Sequence, residues 1–212
     1  STDGTILNRG SIDAGSGSVT LQGPSVVNAG DVHADGDGGT VNVSAGNHAF
    51  LMPGSVTSAS GDNGSVTIKA NDGLALVAKG ATIDASGANG FAEVSGNGLV
   101  LAGNVELGGQ GTLLIDPEDL FVVAETGNDD LMSDGVIDFE ASIATTEVAA
   151  STLTQLSGGI ILQANRDIGI QEDLHFTNNN DFELQSGRHI SIDADVTGAG
   201  NVTLSADHDL TG

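Results

Sequence analysis

The chain of 212 residues contains no cysteine, no tryptophan and no tyrosine, and it has only three prolines. The absence of cysteine excludes a disulfide framework and any metal site with thiolate ligands. Without tryptophan and tyrosine, the chain lacks the aromatic platforms on which sugar-binding sites usually stack their ligands. With few prolines and 38% hydrophobic residues, an intrinsically disordered chain is a poor interpretation.

Basic residues are also scarce. Five lysines and arginines stand against 29 aspartates and glutamates, so the formal net charge is −24 at pH 7. Such a chain should repel nucleic acid, anionic membrane surfaces and acidic glycans, because binding to each of them needs basic patches. We therefore expect no nucleic-acid partner, and no apolar run approaches the length that membrane insertion would need. The charge should keep the chain soluble and hinder lateral aggregation.

One seven-residue pattern recurs along the chain and is clearest at residues 64–70, which read GSVTIKA. Polar and apolar residues alternate between small residues at both ends. The first apolar residues of its eight copies are Val19, Val41, Val66, Ala92, Leu113, Ile160, Phe182 and Val202. Their successive spacings are 22, 25, 26, 21, 47, 22 and 20 residues. A repeat of this length, with one interval about doubled, predicts a solenoid.

Residues 64–89 show one repeat unit best. We predict a strand at residues 66–68, a turn at 71–73, a second strand at 74–78 and a third strand at 81–85. One such coil cannot bury its apolar side, but coils stacked about 4.8 Å apart can. The sequence thus predicts an all-β fold, a parallel β-helix of 20–26 residues and three short strands per coil. A β-sandwich is the structural alternative, although it would not repeat one pattern at this period.

The doubled interval, between Leu113 and Ile160, interrupts this repeat. Regular coils are predicted for residues 1–124 and 158–212, within one continuous solenoid domain. Residues 125–157 are predicted to form an irregular coil or a loop that leaves the shaft, with Ser151 or Thr152 as the N-cap of a short helical turn. Because loops on a regular scaffold often carry binding functions, this segment is the main candidate for a binding site.

Three stretches of the sequence have residue patterns that are typical of one family. The first contains VTLQG, VVNAGDVHA and GGTVNVSAGN within residues 19–47, the second is GTLLIDPEDL at 111–120, and the third is STLTQLSGGIILQANRDI at 151–168. They resemble the filamentous haemagglutinin family, the large two-partner-secreted exoproteins of Gram-negative bacteria. The resemblance covers most of the chain.

The resemblance implies that the β-helix is right-handed and belongs to an adhesin or surface fibre. It also implies export through an outer-membrane transporter of the full-length protein, and therefore a secreted protein at the bacterial cell surface. A receptor or glycan on a host or neighbouring cell would be its ligand. The family's N-terminal secretion domain, with its Asn-Pro-Asn-Gly-type motif, is not found in these residues, so recognition of the transporter is assigned to none of them.

Carboxylates in glycine-rich segments are the first candidates for chemistry. Residues 35–38 (DGDG) and 61–64 (GDNG) match calcium loops in composition, but the spacings of EF hands and of calcium β-rolls are absent. We interpret both segments as turns between strands. Calcium is the one cofactor considered, and its candidate ligands are Asp129, Asp130 and Asp134.

No constellation typical of an enzyme is recognisable, and no catalytic residue is assigned. The histidines are scattered at about one per coil, without the spacing of a zinc site. They are His33, His48, His175, His189 and His208. Paired carboxylates on a strand face would still suit a polysaccharide-cleaving β-helix, for which Arg9, Arg166 and Arg188 are the available arginines.

The sequence therefore favours a structural role. We interpret the chain as a shaft segment of a secreted bacterial surface fibre, not an enzyme, that mediates adhesion or builds extracellular matrix or filaments. Two alternatives stay open. One is a carbohydrate-active β-helix enzyme. The other is a subunit that associates with itself head to tail, because neither end of the sequence shows a polar capping helix.

Overall fold

The computed structural model describes residues 4–126 and 145–207, which form twenty strands and one short helix. The strands before the interruption are β1 (Thr5–Asn8), β2 (Ser11–Asp13), β3 (Ser18–Asn28), β4 (Asp31–His33), β5 (Thr40–Leu51), β6 (Val56–Ser58), β7 (Ser65–Val77), β8 (Thr82–Ala85), β9 (Phe91–Leu101), β10 (Asn104–Leu107), β11 (Thr112–Asp116) and β12 (Leu120–Val123). The later elements are β13 (Thr146–Ala149), α1 (Ala150–Thr154), β14 (Gly159–Ala164), β15 (Asp167–Ile170), β16 (Leu174–His175), β17 (Phe182–Ser186), β18 (His189–Ile192), β19 (Val196–Thr197) and β20 (Val202–Ala206).

These strands pair in parallel and build three walls of a solenoid of about eight turns. The first wall stacks the first halves of β3, β5, β7 and β9, and then β11, β14, β17 and β20. The second wall contains β1, the second halves of the same four long strands, and later β12, β15 and β18. The third wall stacks β2, β4, β6, β8 and β10, and resumes with β16 and β19. The predicted parallel β-helix is confirmed, while its handedness stays a prediction.

The first wall holds the predicted repeat in unbroken register. Each copy of the seven-residue pattern lies directly beside the next, and the eight predicted first apolar residues form one column. The column runs Val19, Val41, Val66, Ala92, Leu113, Ile160, Phe182 and Val202. All members except the last are at most 7% exposed, so this column lines the core.

The corner between the first and second walls differs from the prediction. Residues 71–73 are predicted as a turn, but β7 runs through them as one strand, and only its register against the neighbouring strands β5 and β9 shifts between Ala70 and Leu74. Gly73 permits this close course, because a Cβ atom there would lie 1.9 Å from the carbonyl oxygen of Asn47 in the preceding coil. The chain therefore bends at this corner while the β-ladder continues on both sides of it.

A second apolar cluster lies on the side of the second wall opposite to the core. Along β5, Ala49 and Leu51 face the core and Phe50 faces away from it, yet Phe50 is only 1% exposed. Its neighbours in the same column are Val27 and Leu76. The full outer cluster consists of Val27, Phe50, Leu74, Leu76, Ala78 and Val100. From β3 to β9, the second wall is therefore apolar on both faces, as is usual for parallel sheets that are buried on both sides.

The interrupted coil places its strands out of chain order. β13 pairs with β12, which precedes it in the sequence, and lies between β12 and the second half of β9. The Leu99 amide of β9 donates a hydrogen bond of 3.0 Å to Thr146 Oγ1, and the Thr146 amide donates one of 3.1 Å to the Asp119 carbonyl. The strand β13, at the described end of the interrupting segment, is thus an additional strand of the second wall, inserted between β9 and β12.

Helix α1 takes the place of a strand in the third wall, between β10 and β16. The hydroxyl of Ser157 donates to the Leu107 carbonyl at 2.5 Å, and the side-chain amides of Asn178 and Asn180 both donate to the Leu156 carbonyl at 3.1 Å. The predicted N-cap is wrong, because the helix follows β13 without a loop. Its N-cap is Ala149, which makes no capping hydrogen bond through its side chain. In the described ranges, no helix is long and apolar enough to cross a bilayer.

Candidate functional site

The acidic turns between the third and first walls hold neighbouring coils together. Asp35 Oδ1 accepts hydrogen bonds from the Ser58 hydroxyl and, at 3.1 Å, from the Ser60 amide, both in the following coil. Burial disfavours the charged form of Asp35, but these hydrogen bonds outweigh it and lower the pKa of the carboxyl. Asp62 Oδ1 accepts a hydrogen bond of 3.0 Å from the Ala88 amide in the same way. These carboxylates therefore stabilise the stacking of the turns.

The candidate calcium ligands Asp129, Asp130 and Asp134 lie outside the described residues. Within residues 4–126 and 145–207, no three histidine, aspartate or glutamate side chains come together in a way that could hold a metal ion.

The described histidines belong to separate parts of the solenoid. Nδ1 of His33, in the third wall, lies 3.2 Å from Asp35 Oδ2. Nδ1 of His189, at the second wall near the other end, lies 3.2 Å from Asp167 Oδ1. His33 and His189 thus each contact a different carboxylate, in different walls of the solenoid.

A charged cluster on the outer face of the first wall is the arrangement most relevant to acid–base chemistry. Lys69, Ser95 and Asp116 are successive members of one column, and the Ser95 hydroxyl donates a hydrogen bond of 2.6 Å to Glu93 Oε1. Asp116 Oδ1 is buried and has no hydrogen-bond partner in the described part of the chain. Burial raises the pKa of Asp116, the charge of Lys69 opposes this rise, and the charge of Glu93 adds to it.

This cluster is not recognisable from the sequence, because its residues come from three different coils. Only the predicted column register, applied to outward positions, would have brought Lys69, Glu93 and Asp116 together. A carboxyl group with a raised pKa beside a second carboxylate can act as a general acid, or it can be a buried charge that the fold tolerates.

We expect Asp116→Asn to raise the melting temperature at pH 7 by about 2 °C. A raised pKa means that the folded chain holds this proton more tightly than the unfolded chain does. The stability penalty is therefore present above the folded pKa and is lost as the pH falls below the unfolded value of about 3.9. Thermal unfolding followed by circular dichroism should show the gain at neutral pH and none in acid.

Two neighbouring substitutions check the cause of this effect. In NMR titrations, Glu93→Gln should lower the pKa of Asp116 and Lys69→Gln should raise it, because they remove charges of opposite sign. A loss of stability in Asp116→Asn at pH 7 would contradict the prediction, since it would mean that the folded state favours the carboxylate.

Two arginine–aspartate pairs link successive coils just before the strands β12, β15 and β18 of the second wall, after the interrupted coil. Arg166 Nε donates to Asp119 Oδ1 at 3.2 Å, and its Nη2 contacts Asp119 Oδ2. One coil further, Arg188 Nε donates to Asp167 Oδ1 at 2.7 Å and its Nη2 contacts Asp167 Oδ2. Hydrogen bonds from the arginines lower the pKa of both aspartates. Both arginines are thus engaged in joining coils rather than in a free catalytic position.

We expect Asp119→Asn to destabilise the chain at pH 7 by about 1–2 kcal/mol, through loss of a charge-assisted pair. The lowered pKa of Asp119 stabilises the folded state above the unfolded value of about 3.9, and this contribution is lost as the pH falls through the folded pKa. The difference in melting temperature between the native chain and the variant should therefore shrink in acid.

The control for this prediction is Asp72→Asn, which removes one charge from an exposed position of β7. Its melting temperature should follow that of the native chain at every pH. An Asp119→Asn difference that stays constant from neutral to acid pH would mean that the ion pair is not its cause.

Helix α1 borders an open groove of about 310 Å³. Its charged side comes from β16, with His175, and from the two residues before this strand, Glu172 and Asp173. Its opposite side comes from α1, with Ser151 and Thr154. The Nδ1 atom of His175 also lies 2.6 Å from Thr197 Oγ1 of the next coil. The groove is shallow and open to solvent, and polar and apolar groups line it in about equal measure.

The interrupted coil is therefore where the described structure departs most from a regular solenoid. Comparisons with protein-family models, with curated proteins and with solved structures find no match for this chain.

Proposed function

We propose that this chain is a structural shaft segment of a secreted fibre on the surface of a Gram-negative bacterium, where it mediates adhesion or builds extracellular matrix or filaments. The observation that carries the proposal is the unbroken first wall, in which eight strands stack in one register. Because each coil offers its edge to the next, the length of such a shaft depends only on the number of coils. The sequence resemblance supplies the biological setting.

The charge distribution supports a shaft that stays separate from its neighbours. The net charge of −24 makes side-by-side contact between solenoids unfavourable. Most strands of the regular coils have a parallel partner on both sides, so few strand edges are left for lateral pairing. Lateral clumping is thus opposed.

Partners follow from the resemblance and from the interrupted coil. The full-length protein would be exported by an outer-membrane transporter, and its ligand would be a receptor or glycan on another cell. The groove beside α1, with Glu172, Asp173 and His175, is the contact surface that we propose for that ligand. Its hydrogen-bonding groups suit hydroxyl groups of a neutral or cationic ligand, since the surrounding charge repels anions.

Two measurements test this function. Antibodies against the chain should label intact cells of the bacterium that produces it. Labelling only after permeabilisation would contradict surface exposure. Beads coated with the chain should be retained under flow on immobilised cells or glycans, more than beads coated with a Glu172→Ala/Asp173→Ala/His175→Ala variant of equal stability. Equal retention of both beads would exclude the groove as the adhesive surface.

A carbohydrate-active enzyme is the second candidate, and the raised pKa of Asp116 beside Glu93 is the observation that favours it. Incubation with a panel of polysaccharides should release no reducing ends if the chain is a shaft. Release that disappears in Asp116→Asn, with the fold intact, would support the enzyme instead.

A further inference from the structure

One corner between the third and first walls is shorter than the corners on either side of it. Between the last core residue of the third wall and the first core residue of the next strand, the chain passes through residues 108–112 before β11 and 177–181 before β17. The coil between these two contains α1 and has only residues 157–159 at this corner. The two longer corners are two coils, or roughly 9.6 Å, apart. A notch of about 300 Å³ lies between them.

The notch also depends on a missing side chain. Gly159, the first residue of β14, lies between the two longer corners and lines the notch. A Cβ atom there would be 3.6 Å from the Asp181 carbonyl oxygen and 3.8 Å from both the Gly111 carbonyl oxygen and Thr112 Oγ1. These are ordinary van der Waals distances, and Gly159 does not have a left-handed φ angle. The backbone therefore does not require glycine here, and its effect is to leave this space open.

The surface of the notch is mainly polar. Gln110 and Asn179 lie in the opposite corners, and their exposed side chains have no hydrogen-bond partner in the described part of the chain. Beside Asn179, Asp181 Oδ1 accepts hydrogen bonds of 2.9 Å from the backbone and side-chain nitrogens of Asn201. Its Oδ2 atom is the carboxylate oxygen left for a ligand. The notch thus offers amide donors and acceptors on both sides and a carboxylate on one.

The corner that contains Asn179 is held in place by both neighbouring coils. The side-chain amides of Asn178 and Asn180 donate to the Leu156 carbonyl of the preceding coil, each at 3.1 Å. The Asn180 carbonyl accepts a hydrogen bond of 2.8 Å from the Gly200 amide of the following coil. This side of the notch is therefore formed before any ligand binds, which lowers the entropic cost of binding.

We propose that the notch binds one neutral sugar residue of a glycan. Sugar hydroxyl groups both donate and accept hydrogen bonds, and the carboxamides of Gln110 and Asn179 do the same. None of the described residues that line the notch is basic, and Asp181 together with the net charge of −24 repels anionic sugars. None of them is aromatic either, so affinity rests on hydrogen bonds, with a dissociation constant on the order of 1–10 mM.

This inference goes beyond the proposed function, in which the ligand contacts the groove beside α1. The notch shares no lining residue with that groove. It would be a second contact for the same kind of ligand, on a different corner of the interrupted coil. Two weak sites on one shaft can together hold a glycan chain more firmly than either site alone.

NMR titration of the ¹⁵N-labelled chain tests the site. The probes are the methyl glycosides of glucose, galactose, mannose and N-acetylglucosamine, with the methyl glycoside of glucuronic acid as the anionic comparison. At least one neutral probe should shift the side-chain amide signals of Gln110 and Asn179 and the backbone amide signal of Gly159, with saturation at millimolar concentration. The glucuronic acid derivative should bind about ten-fold more weakly, because its carboxylate approaches Asp181.

Three variants locate the binding. Gly159→Leu places a side chain between the two corners and should weaken binding by about ten-fold or more. Asn179→Gly removes one carboxamide and should weaken it by about three-fold or more. The matched control is Asn89→Gly, in the five-residue segment between β8 and β9. Asn179 and Asn89 are both exposed and have φ angles of 53° and 55°, which glycine adopts without strain. Asn89→Gly should therefore leave binding unchanged.

Circular dichroism and melting temperature should show that all three variants keep the fold. Binding of none of the neutral probes would overturn the proposal. So would signal shifts that persist in a folded Gly159→Leu chain, or equal affinities of Asn179→Gly and Asn89→Gly, because the sugar would then lie elsewhere. The surface-labelling experiment and the bead comparison with the groove variant do not involve the notch, so failure here is distinguishable from failure of the proposed function.

Discussion

Gly64→Ala is expected to destabilise the solenoid by about 3 kcal/mol or more, which is a large fraction of the stability of a typical domain. Gly64 lies where the third wall turns into the first, between β6 and β7. A Cβ atom there would be 1.9 Å from the carbonyl oxygen of Ala59, a distance that real Cβ atoms essentially never show. The obstacle is backbone, so no side-chain rotation relieves it.

The turn cannot shift freely to make room for the new methyl group. The amide of Gly64 donates to the Gly61 carbonyl at 3.0 Å, and its carbonyl accepts from the Phe91 amide of the next coil at 2.9 Å. Movement of this turn would therefore weaken hydrogen bonds within one coil and to the next. Urea unfolding at equilibrium, followed by circular dichroism, should show the loss as a lower midpoint.

Gly109→Ala is the matched control, because Gly109 lies in the corresponding turn between β10 and β11. A Cβ atom there meets nothing within 4 Å, and the residue does not have a left-handed φ angle. We expect a change of no more than about 0.5 kcal/mol. If Gly64→Ala and Gly109→Ala had equal midpoints, close packing of the turns would not be what selects glycine at position 64.

The repeat in the first wall could be predicted from the sequence because one physical requirement acts on every coil. Inward positions of a narrow solenoid must be apolar and must stack on their equivalents, so Val66 and Ala92 occur at matching places in the pattern. Spacing alone then gives the register, even across the doubled interval, where Leu113 pairs with Ile160.

The corners could not be predicted in the same way. Asn71, Asp72 and Gly73 have the composition of a turn, but in a solenoid the ladder from the neighbouring coils holds such residues in extended conformation. Local propensity is thus overridden by pairing between coils. The outer apolar cluster around Phe50 was missed for a related reason, since alternation assigns only one face of a strand to the core.

The interrupted coil is the part of the fold that is hardest to predict from the order of residues along the chain. The spacing of 47 residues signals an irregularity. It does not reveal that β13 lies between β9 and β12 in the second wall, although β13 follows β12 in the sequence. The same holds for the contacts that link distant residues, such as Arg166 with Asp119 and Lys69 with Asp116. Their partners are set by which coils are neighbours in space, and the interruption changes that order.

Leu184→Ala should cost about 3 kcal/mol of unfolding free energy, whereas Leu204→Ala should cost less than about 1 kcal/mol. The two leucines have the same type and occupy adjacent positions of one column, in β17 and β20. They differ in burial, because Leu184 is fully buried and Leu204 is 51% exposed. The comparison therefore isolates what a following coil contributes to a core side chain.

The two variants must be measured in dilute solution, where contacts between copies are few. Leu184→Ala should then lower the melting temperature by roughly 6 °C or more, and Leu204→Ala by no more than about 3 °C. A cost for Leu204→Ala that equals the cost of Leu184→Ala would mean that Leu204 is as well buried in solution as Leu184, and would contradict the prediction. The two leucines thus measure how much of the contribution of a core side chain depends on the coil that stacks on it.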